Sequence, residues 1–216
     1  MMWTPYLSLL TIILEFLFIF ISFNSKKEKH IKIPAISILI LLLSYQIIEA
    51  LICYKIVDRL IFSKIAFMVI LWLPAIGLNL ILSIINGRKS GFFFYIFAIL
   101  LSLMVLFDKN FVKDVHCLIF WAKYQTKNLS YLIYSIYYEL GQIAMIFLSI
   151  YGMIISNSYN RRIYLGLILI GTLFFVLFGF MFVVIVPSAL GALPSVMCHL
   201  AIFLALALTI LLKIRI

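Results

Sequence analysis

Residues 163–186 read IYLGLILIGTLFFVLFGFMFVVIV, 24 residues without one charge. A helix rises about 1.5 Å per residue, so this run covers the ~30 Å hydrocarbon core of a bilayer. No soluble core helix needs to be apolar on every face over that length. The rest of the chain is written in the same way. Hydrophobic residues make up 67% of the 216, charged residues 11%, and mean hydropathy is +1.26. A water-soluble domain carries about 25% charged residues. This chain has too little polar surface for that, which excludes soluble, disordered, nucleic-acid-binding and secreted disulfide-scaffold classes.

Working outward, seven apolar stretches are expected to span: 4–23, 34–54, 60–85, 91–107, 131–155, 163–186 and 194–212. The expected fold is all-α, one polytopic domain. Between the second and third stretches only Lys55, Asp58, Arg59 and Lys64 interrupt the apolar run, which implies a tight helical hairpin. Pro34 suits the first turn of a helix, where a missing N–H is harmless. Asn86-Gly87 and Asn157-Ser158 are stop or turn signals. The amino terminus lacks a basic stretch and a small-x-small cleavage site, so the first helix is expected to be retained.

The net charge is +10, from 17 basic against 7 acidic residues. With the amino terminus outside, ten basic residues fall inside: Lys26, Lys27, Lys29, Lys32, Arg88, Lys89, Arg161, Arg162, Lys213 and Arg215. Seven fall outside: Lys55, Arg59, Lys64, Lys109, Lys113, Lys123 and Lys127. The positive-inside rule therefore puts the amino terminus out and the carboxyl terminus in the cytoplasm. The long loop, Asp108 to Ser130, places Phe111, Val115, Leu118 and Ile119 on one helical face opposite Lys113 and Asp114. It reads as an interfacial helix with Trp121 near headgroup level, or as a lid over an outward-facing cavity. Cys53, Cys117 and Cys198 are odd in number and far apart, and read as isolated apolar thiols.

Three of the seven acids, Glu15, Glu49 and Glu139, lie inside spans, with no Lys or Arg deep enough to pair with them. Such groups are costly in lipid and mark function by default. Gln46, Glu49 and Cys53 share a face of helix two; Ser135, Glu139 and Gln142 share one of helix five, beside Tyr131, Tyr134 and Tyr138. Helix seven offers Ser195, Cys198 and His199, and helix three offers Asn79. Glu49, Glu139 and His199 are expected at one depth, around an outward-facing polar cavity between helices two, five and seven. Glu15 is read as standing alone on helix one. The competing structural role for all of these is interhelical hydrogen bonding, at ~0.6–2 kcal/mol each.

Leu73-Pro74 with Asn79-Leu80 matches Leu193-Pro194 with His199-Leu200 at an offset of 120. A three-plus-one-plus-three plan, like that of SWEET-type transporters, would account for it. Ser44-Tyr45-Gln46-Ile47-Ile48-Glu49-Ala50-Leu51 resembles the Q-x-x-E-G-L signature of an uncharacterised family of small bacterial seven-helix membrane proteins. Pro194-Ser195-Val196-Met197-Cys198 resembles the P-S-x-W-C-F run of that family, with departures at Ala50, Met197 and His199. The resemblance implies a bacterial inner membrane and no particular activity.

The leading functional expectation is a transporter or channel-like protein for a small solute or ion, not an enzyme. The ion- or substrate-binding set is Glu49, Gln46, Glu139, Gln142, His199, Ser195, Asn79 and Glu15. A non-catalytic membrane sensor or assembly component is the second reading. An intramembrane metal-dependent hydrolase on Glu49, Glu139 and His199 is the third. No cofactor and no nucleic acid is expected. The partners are the lipid bilayer and a small solute or ion, with a second copy or another membrane protein left open. A retinal protein is excluded, because helix seven has no lysine before Lys213.

Overall fold

A computed structural model describes residues 6–87, 92–118, 122–126, 128–186 and 191–214. Thr4, Arg88, Lys89, Gly91, Ile119, Trp121, Lys127 and Arg215, which figure in the expectations above, lie outside the described residues. The elements are α1 (Tyr6–Phe23), α2 (Lys29–Cys53), α3 (Arg59–Asn86), α4 (Phe92–Phe107), β1 (Asp114–Cys117), β2 (Ala122–Gln125), α5 (Leu129–Ile155), α6 (Tyr159–Ile185), α7 (Leu193–Leu200) and α8 (Ile202–Lys213). The last two are one rod. The Ala201 N–H donates to the Met197 carbonyl and the Ala205 N–H to the Ala201 carbonyl, each at 2.9 Å, so the ladder runs through.

Five helices are long and apolar enough to cross a membrane: α2, α3, α5, α6 and the α7–α8 rod. α1 and α4 are apolar but shorter. Polarity is inverted relative to a soluble bundle. Phe16 and Phe20 on α1, Leu100 and Phe107 on α4, Phe147 and Ile154 on α5 and Phe180 on α6 face outward, while Glu15, Gln46, Glu49 and Gln142 are buried. In water such a surface would be a continuous aggregation patch; against lipid tails it costs nothing. This is an integral membrane protein.

Sequence chemistry sets the helix ends. Asp58 accepts from the Ile61 N–H at 2.9 Å and so caps α3; Asn128 does the same for Tyr131 at the start of α5. Gly87 takes φ +66 after α3, the left-handed conformation that glycine adopts without a Cβ penalty. α2 and α3 are joined by residues 54–58 alone. There Lys55 adopts φ 58 and the Ile56 N–H reaches back to the Leu51 carbonyl, which is the expected tight hairpin. α2 starts earlier than expected, at Lys29, with Pro34 inside it. Its first turn is basic, and lysine stems can lie along an apolar helix while the ammonium reaches water.

α1, α2, α3, α5, α6 and α8 pack as a closed ring in that order, and α4 rests outside it on α3. α3 runs unbroken through Pro74, against whose ring Gly141 of α5 docks. Pro74 lies mid-helix, whereas Pro194 sits in the first turn of α7. The two Leu-Pro stretches thus occupy different depths, which removes the structural basis for reading them as a repeat.

The loop after α4 corrects two expectations. It is not an interfacial helix but an antiparallel hairpin, with Val115 opposite Tyr124 and Cys117 opposite Ala122. Val115, Ala122 and Tyr124 point inward; Asp114, His116 and Gln125 point out. The helical spacing of Phe111, Val115 and Leu118 competes with this period-two alternation. Tertiary contacts decide for the strand: Phe67 of α3 holds Phe111, Tyr124 and Tyr134 edge-on, at ring-centroid distances of 5.3, 5.0 and 5.3 Å. The second correction is covalent. Cys53, at the end of α2, is disulfide-bonded to Cys117 of β1; only Cys198 is a free thiol, and it is buried. The bridge closes a loop of 64 residues, worth up to ~4 kcal/mol by chain entropy in a fully unfolded reference. Because unfolded membrane helices stay inserted, Cys117→Ser is expected to lower stability by about 1–4 kcal/mol. Detergent melts with and without reductant should show the same loss in the wild type and none in the variant.

Candidate functional site

The hairpin end of the bundle brings together polar side chains from α1, α2 and α7. The Ser195 hydroxyl, in the first turn of α7, donates to Glu49 Oε1 at 2.7 Å. The Ser8 hydroxyl of α1 lies 3.3 Å from the same oxygen and 3.2 Å from His199 Nε2. His199 Nδ1 sits 2.6 Å from the Ser195 carbonyl. Glu49 and His199 are 1% and 7% exposed, and Ser8 and Ser195 are fully buried.

Donor and acceptor counting fixes the states available. A carbonyl only accepts, so Nδ1 carries a proton and Nε2 is the variable nitrogen. With Nε2 protonated, it donates to Ser8 Oγ, whose own proton goes to Glu49 Oε1. With Nε2 bare, Ser8 donates to it instead. One shift through the Ser8 hydroxyl moves a proton from imidazolium to carboxylate. Nε2 and Oε1 are 4.0 Å apart, too far for a direct bond and right for this single bridge.

The hairpin lies over the cluster. The Ala122 N–H of β2 donates to Ser195 Oγ at 3.1 Å, and the Tyr124 hydroxyl meets that of Tyr45 at 3.3 Å. The expected open, outward-facing cavity is therefore closed here. An apolar groove of about 560 Å³ lies elsewhere, between α2, α3 and α4, and includes Trp72.

Of the residues singled out by sequence, Glu49, Ser195 and His199 meet. Gln46 is one turn from Glu49, fully buried, with both amide atoms unpartnered. Glu15 faces the interior, and both its carboxyl oxygens are unpartnered. Gln142 is buried beside Tyr138 on α5. Gln142, Glu139 and Asn79 are not brought into contact with that cluster among the described residues. Glu139 is half-buried. Its helix packs on α3 and α6 rather than on α2. Asn79 faces Tyr95 of α4. Sequence reading missed Ser8, Tyr45 and Tyr124. It also overlooked Thr11, one turn from Glu15, so Glu15 does not stand alone; Ser8, Thr11 and Glu15 share one face at i, i+3, i+7. No group of three or more His, Cys, Asp or Glu able to hold a metal forms among the described residues.

The two short stretches that resemble a bacterial family meet face to face, through the bond from Ser195 to Glu49. No protein-family model matches the chain, and no curated protein or solved structure is significantly similar to it.

Proposed function

We propose that the protein is a seven-span transporter or channel-like protein for a small solute or ion, in which the Glu49–His199 pair takes up a proton or a cation. The observation that carries this reading is the Ser8 bridge between an acid and a base, both buried inside an apolar helix bundle. A purely structural contact would be met more cheaply by amides or hydroxyls; carboxyl and imidazole bring exchangeable protons. Glu139, half-buried and apart, is a second candidate carboxyl.

α1 and α4 complete the seven spans in this reading. Their 18 and 16 residues reach roughly 27 and 24 Å, and local bilayer thinning accommodates the shortfall. The hairpin end is read as extracytoplasmic. A disulfide between Cys53 and Cys117 suits an oxidising compartment. The opposite end carries Lys27 over the Tyr164 ring, Lys32 on the Ser25 carbonyl, and Arg161 and Arg162 on the Ile85 and Ser156 carbonyls. That basic end fits the cytoplasmic side, and the reading takes the membrane to be a bacterial inner membrane. A reporter fused after Ile216 should report cytoplasm, and a membrane-impermeant thiol reagent applied to intact cells after mild reduction should label Cys117. Labelling only after lysis would reverse the topology.

For function, the full chain is reconstituted on a solid-supported membrane and given a pH or Na⁺ jump. Transient charge displacement is expected; its absence under both jumps overturns the transport reading. The sealed hairpin favours a second reading, a sensor or assembly component, which predicts a pH-dependent conformational change without charge movement.

A further inference from the structure

The buried face of α1 goes beyond the Glu49–His199 pair. Ser8, Thr11, Glu15 and Ser22 recur along one side and are 0–3% exposed, with Ser25 buried just past the helix end, while Leu10, Ile13 and Phe16 look outward. Most of this face is hydrogen-bonded as interhelical glue. The Ser22 hydroxyl donates to Thr209 and that of Ser25 to the Leu212 carbonyl. These bonds and the Ser8–Glu49 bond set the register: α1 runs parallel to the α7–α8 rod and antiparallel to α2.

Between Ser8 and Glu15 the pattern changes. Both oxygens of Glu15, both amide atoms of Gln46 and Glu49 Oε2 are enclosed and unpartnered among the described residues. Five orphaned polar atoms on two facing helices are more than packing explains, because each would cost ~1–3 kcal/mol if left dry. Beyond Glu15 towards the basic end, α2 presents Leu42, Leu39, Ile38 and Ala35, each no more than 1% exposed. The polar stretch therefore opens towards the Glu49–His199 pair and ends blind at Glu15.

We infer that Glu15 is the deep proton-binding carboxyl of this protein, exchanging its proton with the Glu49–His199 pair through water held by Gln46. This rests on reading that pair as a proton site. The span from Ser8 to Glu15 is seven residues, about 10 Å, which two or three waters bridge. The step balances: a proton leaves His199 Nε2 or the Glu49 carboxyl, each bridging water passes one on, and the Glu15 carboxylate becomes a neutral acid. On the elements packed against α1, the ionisable side chains towards this end are Tyr45 and Glu49 of α2 and Cys198 and His199 of α7, of which Cys198 lies near Glu15; α8 offers none before Lys213. No fixed cation holds Glu15 ionised. With apolar side chains on its far side, Glu15 gains and loses its proton through the Glu49–His199 pair.

The test is infrared difference spectroscopy on the full chain in lipid across a pH titration. A protonated-carboxyl C=O band is expected, lost in Glu15→Gln and retained but shifted in Glu15→Asp, which guards against misfolding of the amide variant. After a rapid acid jump, Glu49→Gln should slow the rise of that band about a hundredfold, the low end for a positioned proton-transfer group. A band that survives in Glu15→Gln, or no carboxyl band at any pH, overturns the assignment; an unchanged rise in Glu49→Gln overturns the route. A Glu15 band without charge displacement in the solid-supported assay supports this inference and sinks the transport reading. Charge displacement undiminished in Glu15→Gln does the reverse.

Discussion

Glu49→Gln is expected to reduce pH-driven charge displacement about a hundredfold while leaving the melting temperature nearly unchanged. The amide oxygen can still accept from Ser195 at the 2.7 Å position and from Ser8, so the three-helix junction survives. What is lost is the exchangeable proton, since an amide cannot trade with His199 through Ser8. Glu49→Leu separates the roles from the other direction. It removes the shared acceptor of the Ser8 and Ser195 hydroxyls, leaving Ser8 only His199, and loosens the seat of the hairpin on the Ser195 oxygen. Two interhelical hydrogen bonds at ~0.6–2 kcal/mol each imply a loss of roughly 1–4 kcal/mol. His199→Gln should follow Glu49→Gln in charge displacement. If both glutamine variants conduct normally, the buried pair is structural glue and the ion-binding reading fails.

The largest stability loss expected from overpacking is at Gly141. A Cβ there would come within 2.4 Å of the Pro74 Cβ and 3.1 Å of its Cγ. A proline ring has no rotamer to escape into, so α5 and α3 must separate. Small residues at helix contacts allow the close approach on which membrane packing depends. Gly141→Ala should cost ~1–3 kcal/mol, the range for overpacking a tight core, and Gly141→Val more. Gly166→Ala is the control: its nearest neighbour would be the Met153 side chain at 3.8 Å, an ordinary contact with a flexible partner. That variant should stay within ~0.5 kcal/mol of wild type. Thermal or SDS titration in a mild detergent reads both; equal melting of the two alanine variants would contradict the packing.

Hydropathy alone made the membrane class and most helix positions legible, because a run such as 163–186 has no other stable solution. The carboxyl-in-lipid argument also found Glu49, and the polar face of α7 supplied Ser195 and His199. It did not foresee that Glu139 stands apart from Glu49, for a definable reason. A helical face says which residues of one helix look the same way, not which neighbour they look at, and α5 packs on α3 and α6. Ser8 stayed hidden because a lone serine in a span is commonplace and its significance lies in partners 41 and 191 residues away. The hairpin was obscured by two periodicities that coincide over a few residues. The Cys53–Cys117 pairing was obscured because spacing carries no information about a bridge spanning two intervening helices.

That bridge makes residues 53–117 a covalent ring that contains α3 and α4. In the seven-span reading the ring leaves the outer face and returns to it, so it closes only after both helices have been inserted. Translocation of this segment must then precede oxidation, and a chain stalled before Cys117 has no partner for Cys53. A protease cut anywhere between α3 and α4 would also leave the two halves of the protein tethered, migrating as one until a reductant is added.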